Sequence, residues 1–225
     1  MLGPIGQENV MADDPLTPLP AAPPDRALRR PLAALAAADP DIEAALARIG
    51  LPPVRGVEPG FAGLLRIVMG QQISVAAARA IRTRLEQHVQ PLTAEGFLAQ
   101  SEASLRAIGL SRQKATYGRG IAAATASGAI DFAALERLPD EAAVTALVEL
   151  PGIGQWTAEI YLLFALGRAD VWPAGDLAMR AGLQRLKRLR KPLDEKRTRK
   201  LGEAWRPHRS AAARFLWHFY SHAGV

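Results

Sequence analysis

Apolar positions recur along most of the chain at the spacing of amphipathic helices, and no convincing alternating run of β-branched residues is found. Capping residues mark where many of these helices begin. The predicted helices cover residues 40–49 after Asp39, 61–69, 75–89 after Ser74, 101–108, 111–127, a segment from 131, 140–149, 155–166, 176–189, 193–205 and 210–221. The pattern therefore predicts an all-α fold of about ten helices joined by short loops.

The first 25 residues differ from the rest in their proline content, with Pro15, Pro18, Pro20, Pro23 and Pro24 close together. Such a composition is typical of an extended arm. We expect a Pro-rich arm over residues 1–25 and a helical core over residues 26–225. No window approaches the roughly 20 apolar residues of a membrane span, and no secretory signal is visible.

Basic residues are concentrated in the last third of the chain. Residues 180–214 contain 13 Lys and Arg against 3 Asp and Glu, a balance of +10, whereas residues 1–179 carry a balance of −4. Such a region is suited to binding a polyanion, either nucleic acid or an anionic membrane. A solvated helix face rich in Lys and Arg is the alternative.

The 225-residue chain contains no cysteine, and its four histidines are scattered. The lack of cysteine excludes disulfides, iron–sulfur clusters and Cys-ligated zinc, and four scattered histidines without cysteine argue against a structural zinc site. We therefore expect no required cofactor.

A tight turn between two helices is predicted at residues 150–154, which read Leu-Pro-Gly-Ile-Gly. Asp140 is the expected N-cap of the first helix, and Pro151 ends that helix. Gly152 and Gly154 permit a positive φ and the close approach of another chain. The turn leaves backbone N–H groups at a helix N-terminus, where a DNA phosphate can bind, and it can aim carbonyls at a monovalent cation. An ordinary interhelical turn is the alternative.

Asp176 is the only acid between Val171 and Leu193, and it follows Gly175 at the start of a predicted helix. The helix dipole favours an ionised carboxylate there. A carboxylate beside C1′ of a deoxyribose can stabilise the positive charge that develops as an N-glycosidic bond is hydrolysed, and can orient the attacking water. Asp is also among the best N-cap residues, so capping alone is the alternative, and both roles can coexist.

Three aromatic residues are candidates for the wall of a base pocket: Trp156, Trp217 and Tyr220. Trp156 lies in the first turn after the hairpin, and the other two lie on the last helix. A flat, electron-rich ring stacks well on an extruded base, particularly a cationic one. Packing in the core is the alternative for each.

The chain resembles the helix-hairpin-helix DNA glycosylases, and within them the AlkA-like DNA-3-methyladenine glycosylases II. Three tracts carry the resemblance: residues 61–74 (FAGLLRIVMGQQIS), residues 150–158 (LPGIGQWTA) followed by Asp176, and residues 205–217 (WRPHRSAAARFLW). They span most of residues 26–222. The resemblance implies two helical lobes around a cleft, with the helix-hairpin-helix motif at about 140–166.

The resemblance also implies roles for residues that match the family pattern. Asp176 matches the catalytic Asp, and the residues expected to bind DNA or the base are Gly152, Gly154 and Thr157 at the hairpin, the wedge residue Gln72, and the pocket residues Trp156 and Trp217. The carbonyls of Val148, Leu150 and Ile153 match positions that hold a monovalent cation, Na⁺ or K⁺, in such hairpins.

Three departures from the family pattern shape the expected activity. Relatives with lyase activity carry a Lys where this chain has Trp156, and that Lys forms a Schiff base with the sugar. Its absence implies a monofunctional glycosylase. Only the Pro-rich arm precedes the helical core, which implies the compact form without an N-terminal β domain. Ile160 stands where some relatives have a pocket Tyr, which leaves the substrate range open.

We therefore expect a monofunctional glycosylase that removes alkylated purines of the 3-methyladenine and 7-methylguanine type in base excision repair. Its partner is double-stranded DNA containing damaged bases, with no membrane involved, and we expect a cytoplasmic, nucleoid-associated monomer. Two alternatives remain: a glycosylase for uracil, hypoxanthine or ethenoadenine, and a non-catalytic helix-hairpin-helix protein that recognises DNA structure. A membrane-surface protein is less consistent with the basic region, which lacks a strong apolar face.

Overall fold

The computed structural model describes residues 23–222. Within these residues all regular structure is helical, apart from an isolated antiparallel bridge between Pro24 and Pro53, which confirms the all-α prediction. The described residues form two compact units, residues 56–166 and residues 23–55 with 167–222. No helix in the described part of the chain is both long and apolar enough to traverse a bilayer.

The unit formed by residues 56–166 contains the hairpin. Its helices are α3 (Phe61–Gly70), α4 (Val75–His88), α5 (Ala94–Leu98), α6 (Glu102–Ala107), α7 (Arg112–Ala126), α8 (Phe132–Leu135), α9 (Asp140–Val148) and α10 (Gln155–Phe164).

The other unit contains Asp176 and the basic region. Its helices are α1 (Arg29–Ala38), α2 (Pro40–Ile49), α11 (Leu177–Leu186), α12 (Glu195–Gly202) and α13 (Arg209–Ser221), with 3-10 turns at Arg26–Leu28 and Glu203–Trp205.

Side-chain caps begin most of the helices, as the sequence predicts. Asp39, Ser74, Ser101, Ser111 and Asp131 each accept a backbone N–H of the following first turn. These bonds are local in sequence, which is why the predicted starts agree with the structure.

The predicted helices differ from the observed ones in several places. Asp140 is the first residue of α9 rather than its cap, because Pro139 occupies the N-cap position with φ −55° and ψ 152°. The predicted helix over 193–205 begins only at Glu195 and ends in a 3-10 turn. Helices α1 and α5 were not predicted.

The predicted arm lies mostly outside the described residues, since 1–22 are not part of them. Its last three residues, 23–25, pair with the segment after α2: Asp25 donates its N–H to Pro52 at 2.7 Å, and Val54 donates to Pro23 at 2.8 Å. These three residues therefore belong to the folded core.

Helices α3 and α10 form the centre of the first unit, because both are apolar on nearly every face. The Tyr161 hydroxyl on α10 accepts the N–H of Gly60, the N-cap of α3, at 2.7 Å. Burial is the main cause that raises the pKa of Tyr161 to about 12. The neutral hydroxyl thus ties the start of α3 to the hairpin's second helix.

Helix α11 packs closely on α13 in the second unit. A Cβ at Gly182 would lie 2.5 Å from the carbonyl oxygen of Leu216, so this contact requires glycine. Nearby, Asp39 accepts hydrogen bonds from Lys187 at 2.6 Å and from the Trp205 indole at 2.9 Å. Burial acts to raise the pKa of Asp39, but these hydrogen bonds outweigh it and the pKa is lowered.

Candidate active site

Asp176 is held at the N-terminus of α11 by two hydrogen bonds to one carboxylate oxygen. Oδ1 accepts the backbone N–H of Met179 at 2.7 Å and the indole N–H of Trp217 at 2.8 Å. The first bond is the N-cap that the sequence predicts. Together the two donors fix the orientation of the carboxylate. Asp176 is partly exposed, so the capping group is also accessible for chemistry.

The neighbours of Asp176 on the chain fix its position. Val171, Trp172 and Ala174 are buried, and Gly175 and Leu177 are exposed, the latter with 62% of its surface. The buried segment anchors the turn, while the turn itself reaches the surface. Asp176 therefore stands on a rigid base at the surface of its unit.

Trp217 lies on α13 and is only 4% exposed. Its ring is therefore almost fully covered in this structure, and its indole N–H donates to Asp176. Its expected role as a wall of the base pocket stays a prediction, whereas its contact with the carboxylate is direct. Nothing in the sequence signals this contact, since the two residues are 41 positions apart.

Tyr220, the other pocket candidate on α13, is partly exposed. The Arg185 guanidinium lies 4.5 Å from the centre of its ring, in a cation–π arrangement. One face of the ring is thus already covered.

The hairpin joins α9 to α10 through residues 149–154. Gly152 has φ +79°, and a Cβ there would overlap the ring of Tyr117 on α7. Gly154 is the N-cap of α10 with φ −94°, so this residue does not use the positive φ that glycine permits. A Cβ at Gly154 would meet nothing within 4 Å. Gly152 therefore shapes the turn, and Gly154 keeps its outer surface open.

The first turn of α10 carries Trp156 and Thr157. Trp156 is partly exposed, which is compatible with the expected stacking role. Thr157 is only 3% exposed, and its hydroxyl accepts the side-chain amide of Gln71 at 2.7 Å. The hydroxyl is therefore not available to DNA. Any phosphate contact at Thr157 would have to be made by its backbone N–H.

Gln72, the expected wedge residue, is exposed and has φ +55°. Within residues 23–222, Gln72 and Arg188 are the non-glycine residues with positive φ. A non-glycine residue held in this region stores about 1–3 kcal/mol of strain and is found most often at functional sites. The backbone after α3 is therefore shaped to present this side chain.

Residues 65–207 match the HhH-GPD superfamily of base excision DNA repair proteins. The chain belongs to this superfamily.

Relatives within the superfamily agree with this membership. DNA-3-methyladenine glycosylase 1 of Schizosaccharomyces pombe is 39% identical over 158 residues, which cover 68% of this chain and 69% of the relative. The structure of that organism's 3-methyladenine DNA glycosylase in complex with abasic DNA has a TM-score of 0.77 at 32% identity, covering 87% of this chain and 97% of the other. A DNA-3-methyladenine glycosidase from Bacillus halodurans has a TM-score of 0.75 at 30% identity, covering 86% and 90%.

Much of the positive charge in residues 180–214 of this HhH-GPD protein is paired internally. Arg206 and Arg209 bind Asp170 at 2.6 and 2.9 Å, and Lys187 binds Asp39 at 2.6 Å. Exposed basic residues of the region include Arg190, Lys191, Lys196, Arg197 and Lys200. The charge available to a polyanion is therefore smaller than the sequence balance of +10 suggests.

The indole of Trp217 is expected to position the carboxylate of Asp176. Trp217→Phe keeps a buried aromatic ring and removes the N–H, so we expect the rate of base release to fall by about tenfold, the order of one lost hydrogen bond to a charged group. Single-turnover base release from alkylated duplex DNA measures the effect.

Trp205→Phe is the matched control, because it removes an indole N–H from a different carboxylate, Asp39. It should leave the rate unchanged. In an Asp176→Asn background, Trp217→Phe should not lower the rate of base release any further. A full additional tenfold fall in that rate would show that Trp217 does not act through Asp176.

Proposed function

We propose that this chain is a monofunctional DNA glycosylase that hydrolyses the N-glycosidic bond of alkylated purines of the 3-methyladenine and 7-methylguanine type in double-stranded DNA. The observation that carries the proposal is the Asp176 carboxylate, held by Met179 and Trp217 at the start of α11. Membership in the HhH-GPD superfamily and the names of the relatives supply the substrate class.

Hydrolysis proceeds by departure of the base and addition of water at C1′. Alkylation at N3 or N7 leaves the purine positively charged, so the base leaves with the bonding electrons as a neutral molecule and needs little acid catalysis. Positive charge develops on the deoxyribose, and the Asp176 carboxylate stabilises it. The same carboxylate orients the attacking water, whose proton passes to Asp176 and then to solvent. The products are the free base and an abasic site.

DNA binding in this proposal depends on backbone contacts and on extrusion of the damaged nucleotide. The open N-terminus of α10 at Gly154 receives a phosphate, and the exposed basic residues add contacts that do not depend on sequence. Glycosylases are known examples of enzymes that extrude the target base, at a cost of a few kcal/mol. Gln72 fills the gap in the duplex, and Trp156 stacks on the cationic base.

The hairpin carbonyls of Val148, Leu150 and Ile153 are proposed to hold a monovalent cation. Three neutral oxygens within one turn are a donor set that suits a hard cation of low charge. The Leu150 carbonyl also accepts the N–H of Ile153 at 3.1 Å, which keeps the turn compact. A bound Na⁺ or K⁺ would neutralise part of the phosphate charge beside the hairpin.

A panel of lesion duplexes tests the proposed function. Purified protein should release 3-methyladenine and 7-methylguanine, and strands should break only after alkali treatment of the abasic sites. Release of uracil, hypoxanthine or ethenoadenine alone would replace the alkylpurine assignment by another lesion class. Tight binding to abasic DNA without release of any base would favour a structure-recognising protein, and strand cleavage without alkali would contradict the absence of lyase activity.

A further inference from the structure

A lysine outside the motifs discussed above caps the end of α3. The Lys114 ammonium, on the first turn of α7, donates to the carbonyl of Met69 at 2.6 Å and to the carbonyl of Gln71 at 2.8 Å. The last carbonyls of a helix lack partners within the helix, and a cation is favoured at that end. Lys114 therefore binds the backbone immediately before Gln72.

A second bond holds the same turn from another side. The Gln71 side chain donates to the hydroxyl of Thr157, which lies on the first turn of α10 and is buried. Gln71 thus has its carbonyl bound by α7 and its side chain bound by the second helix of the hairpin. The Gln71–Gln72 turn and the hairpin are therefore joined directly within one unit.

Gln72 needs such support. Its φ of +55° is unfavourable for a residue with a Cβ, and its exposed side chain has no comparable anchor among the hydrogen bonds found in residues 23–222. The strained conformation persists when the surrounding structure enforces it. The side-chain bonds to Lys114 and Thr157 help to fix the residue just before it.

We propose that Lys114 and Thr157 are positioning residues that hold the Gln71–Gln72 turn in the shape needed to insert Gln72 into the duplex. The inference rests on the proposed function, in which Gln72 fills the space left by the extruded nucleotide. Burial lowers the pKa of Lys114 below its usual value, because the ammonium is partly removed from solvent.

The test compares Lys114→Met and Thr157→Val with wild type, using affinity for a duplex that contains a tetrahydrofuran abasic analogue. This readout needs no catalysis, so it distinguishes failure of the inference from failure of the proposed glycosylase activity. We expect Lys114→Met to raise Kd by about tenfold and Thr157→Val by about threefold, as for a binding group displaced by a fraction of an ångström. Thr157→Ser keeps a hydroxyl and should recover wild-type affinity.

A double-mutant cycle shows whether these residues act through Gln72. In a Gln72→Ala background, Lys114→Met and Thr157→Val should each change Kd by less than about twofold. Full additivity with Gln72→Ala, or no effect of either single variant, would overturn the proposal. If Lys114→Met fails to fold, as judged by thermal unfolding, Thr157→Val carries the same cycle.

Salt dependence separates positioning from direct phosphate binding by Lys114. A lysine that contacts phosphate contributes about one to the slope of log K against log salt, and its removal lowers that slope. We expect Lys114→Met to weaken binding with the slope unchanged. A slope lowered by about one would show that the lysine binds DNA itself, and would refute its assignment to the turn.

Discussion

Asp176→Asn is expected to lower the single-turnover rate of base release by about 1000-fold, within the range for losing a charge-stabilising and proton-accepting group. Asparagine keeps an oxygen that can accept the N–H groups of Met179 and Trp217, and it caps helices as well as aspartate does. The change therefore removes the negative charge and leaves the local fold intact. Affinity for the abasic-analogue duplex should stay within about threefold of wild type, since phosphate contacts dominate that affinity.

Asp194→Asn is the matched control for this prediction. Asp194 is also an N-cap aspartate of the same unit, accepting the N–H of Arg197 at 2.6 Å at the start of α12. Its replacement should change neither base release nor thermal stability. A rate for Asp176→Asn within tenfold of wild type, in a properly folded protein, would reduce Asp176 to a helix cap and remove the basis of the proposed mechanism.

The helical architecture was predictable because its determinants are local. Asp39, Ser74 and Ser111 each bind backbone groups two or three residues ahead, so their position in the sequence is sufficient to locate the helix start. Helix α1 was not predicted because its N-cap residue, Leu28, has no side chain that can accept a capping hydrogen bond. Helix α5 was not predicted, although Thr93 caps it, because its five residues show no clear periodic pattern.

The chemistry of the site was predictable only in part. Asp176 was identifiable because it is an isolated acid at a helix start, which is a local feature. Its contact with Trp217 and the contacts of Lys114 with the α3 carbonyls join residues 41 to 45 positions apart. Such contacts depend on how helices pack, and neither spacing nor composition records them.

The two hairpin glycines have the same residue type but different physical roles in the structure. Gly152 needs its positive φ and contacts Tyr117, whereas Gly154 has an ordinary backbone conformation and open space around it. The sequence predicts the same role for both glycines, because residue type alone does not determine φ. This difference makes the pair a test of how the hairpin binds DNA.

Gly152→Ala is expected to destabilise the protein by about 2–3 kcal/mol, since the methyl group must occupy a left-handed conformation and displace the Tyr117 ring. For a chain of this size that corresponds to a fall in Tm of about 4–12 °C. Gly154→Ala should lower the free energy of unfolding by less than about 1 kcal/mol, which is the difference between glycine and alanine as an N-cap. Thermal unfolding of the two variants, side by side, measures both effects.

The same two variants are expected to weaken DNA binding for different reasons. Gly154→Ala places a methyl group between the N-terminus of α10 and the incoming phosphate, so Kd for the abasic-analogue duplex should rise by about tenfold in a fully folded protein. Gly152→Ala should weaken binding only together with its loss of stability, because it distorts the turn. Wild-type affinity in Gly154→Ala would mean that the phosphate lies elsewhere and that the open surface of the hairpin is not the contact with the DNA backbone.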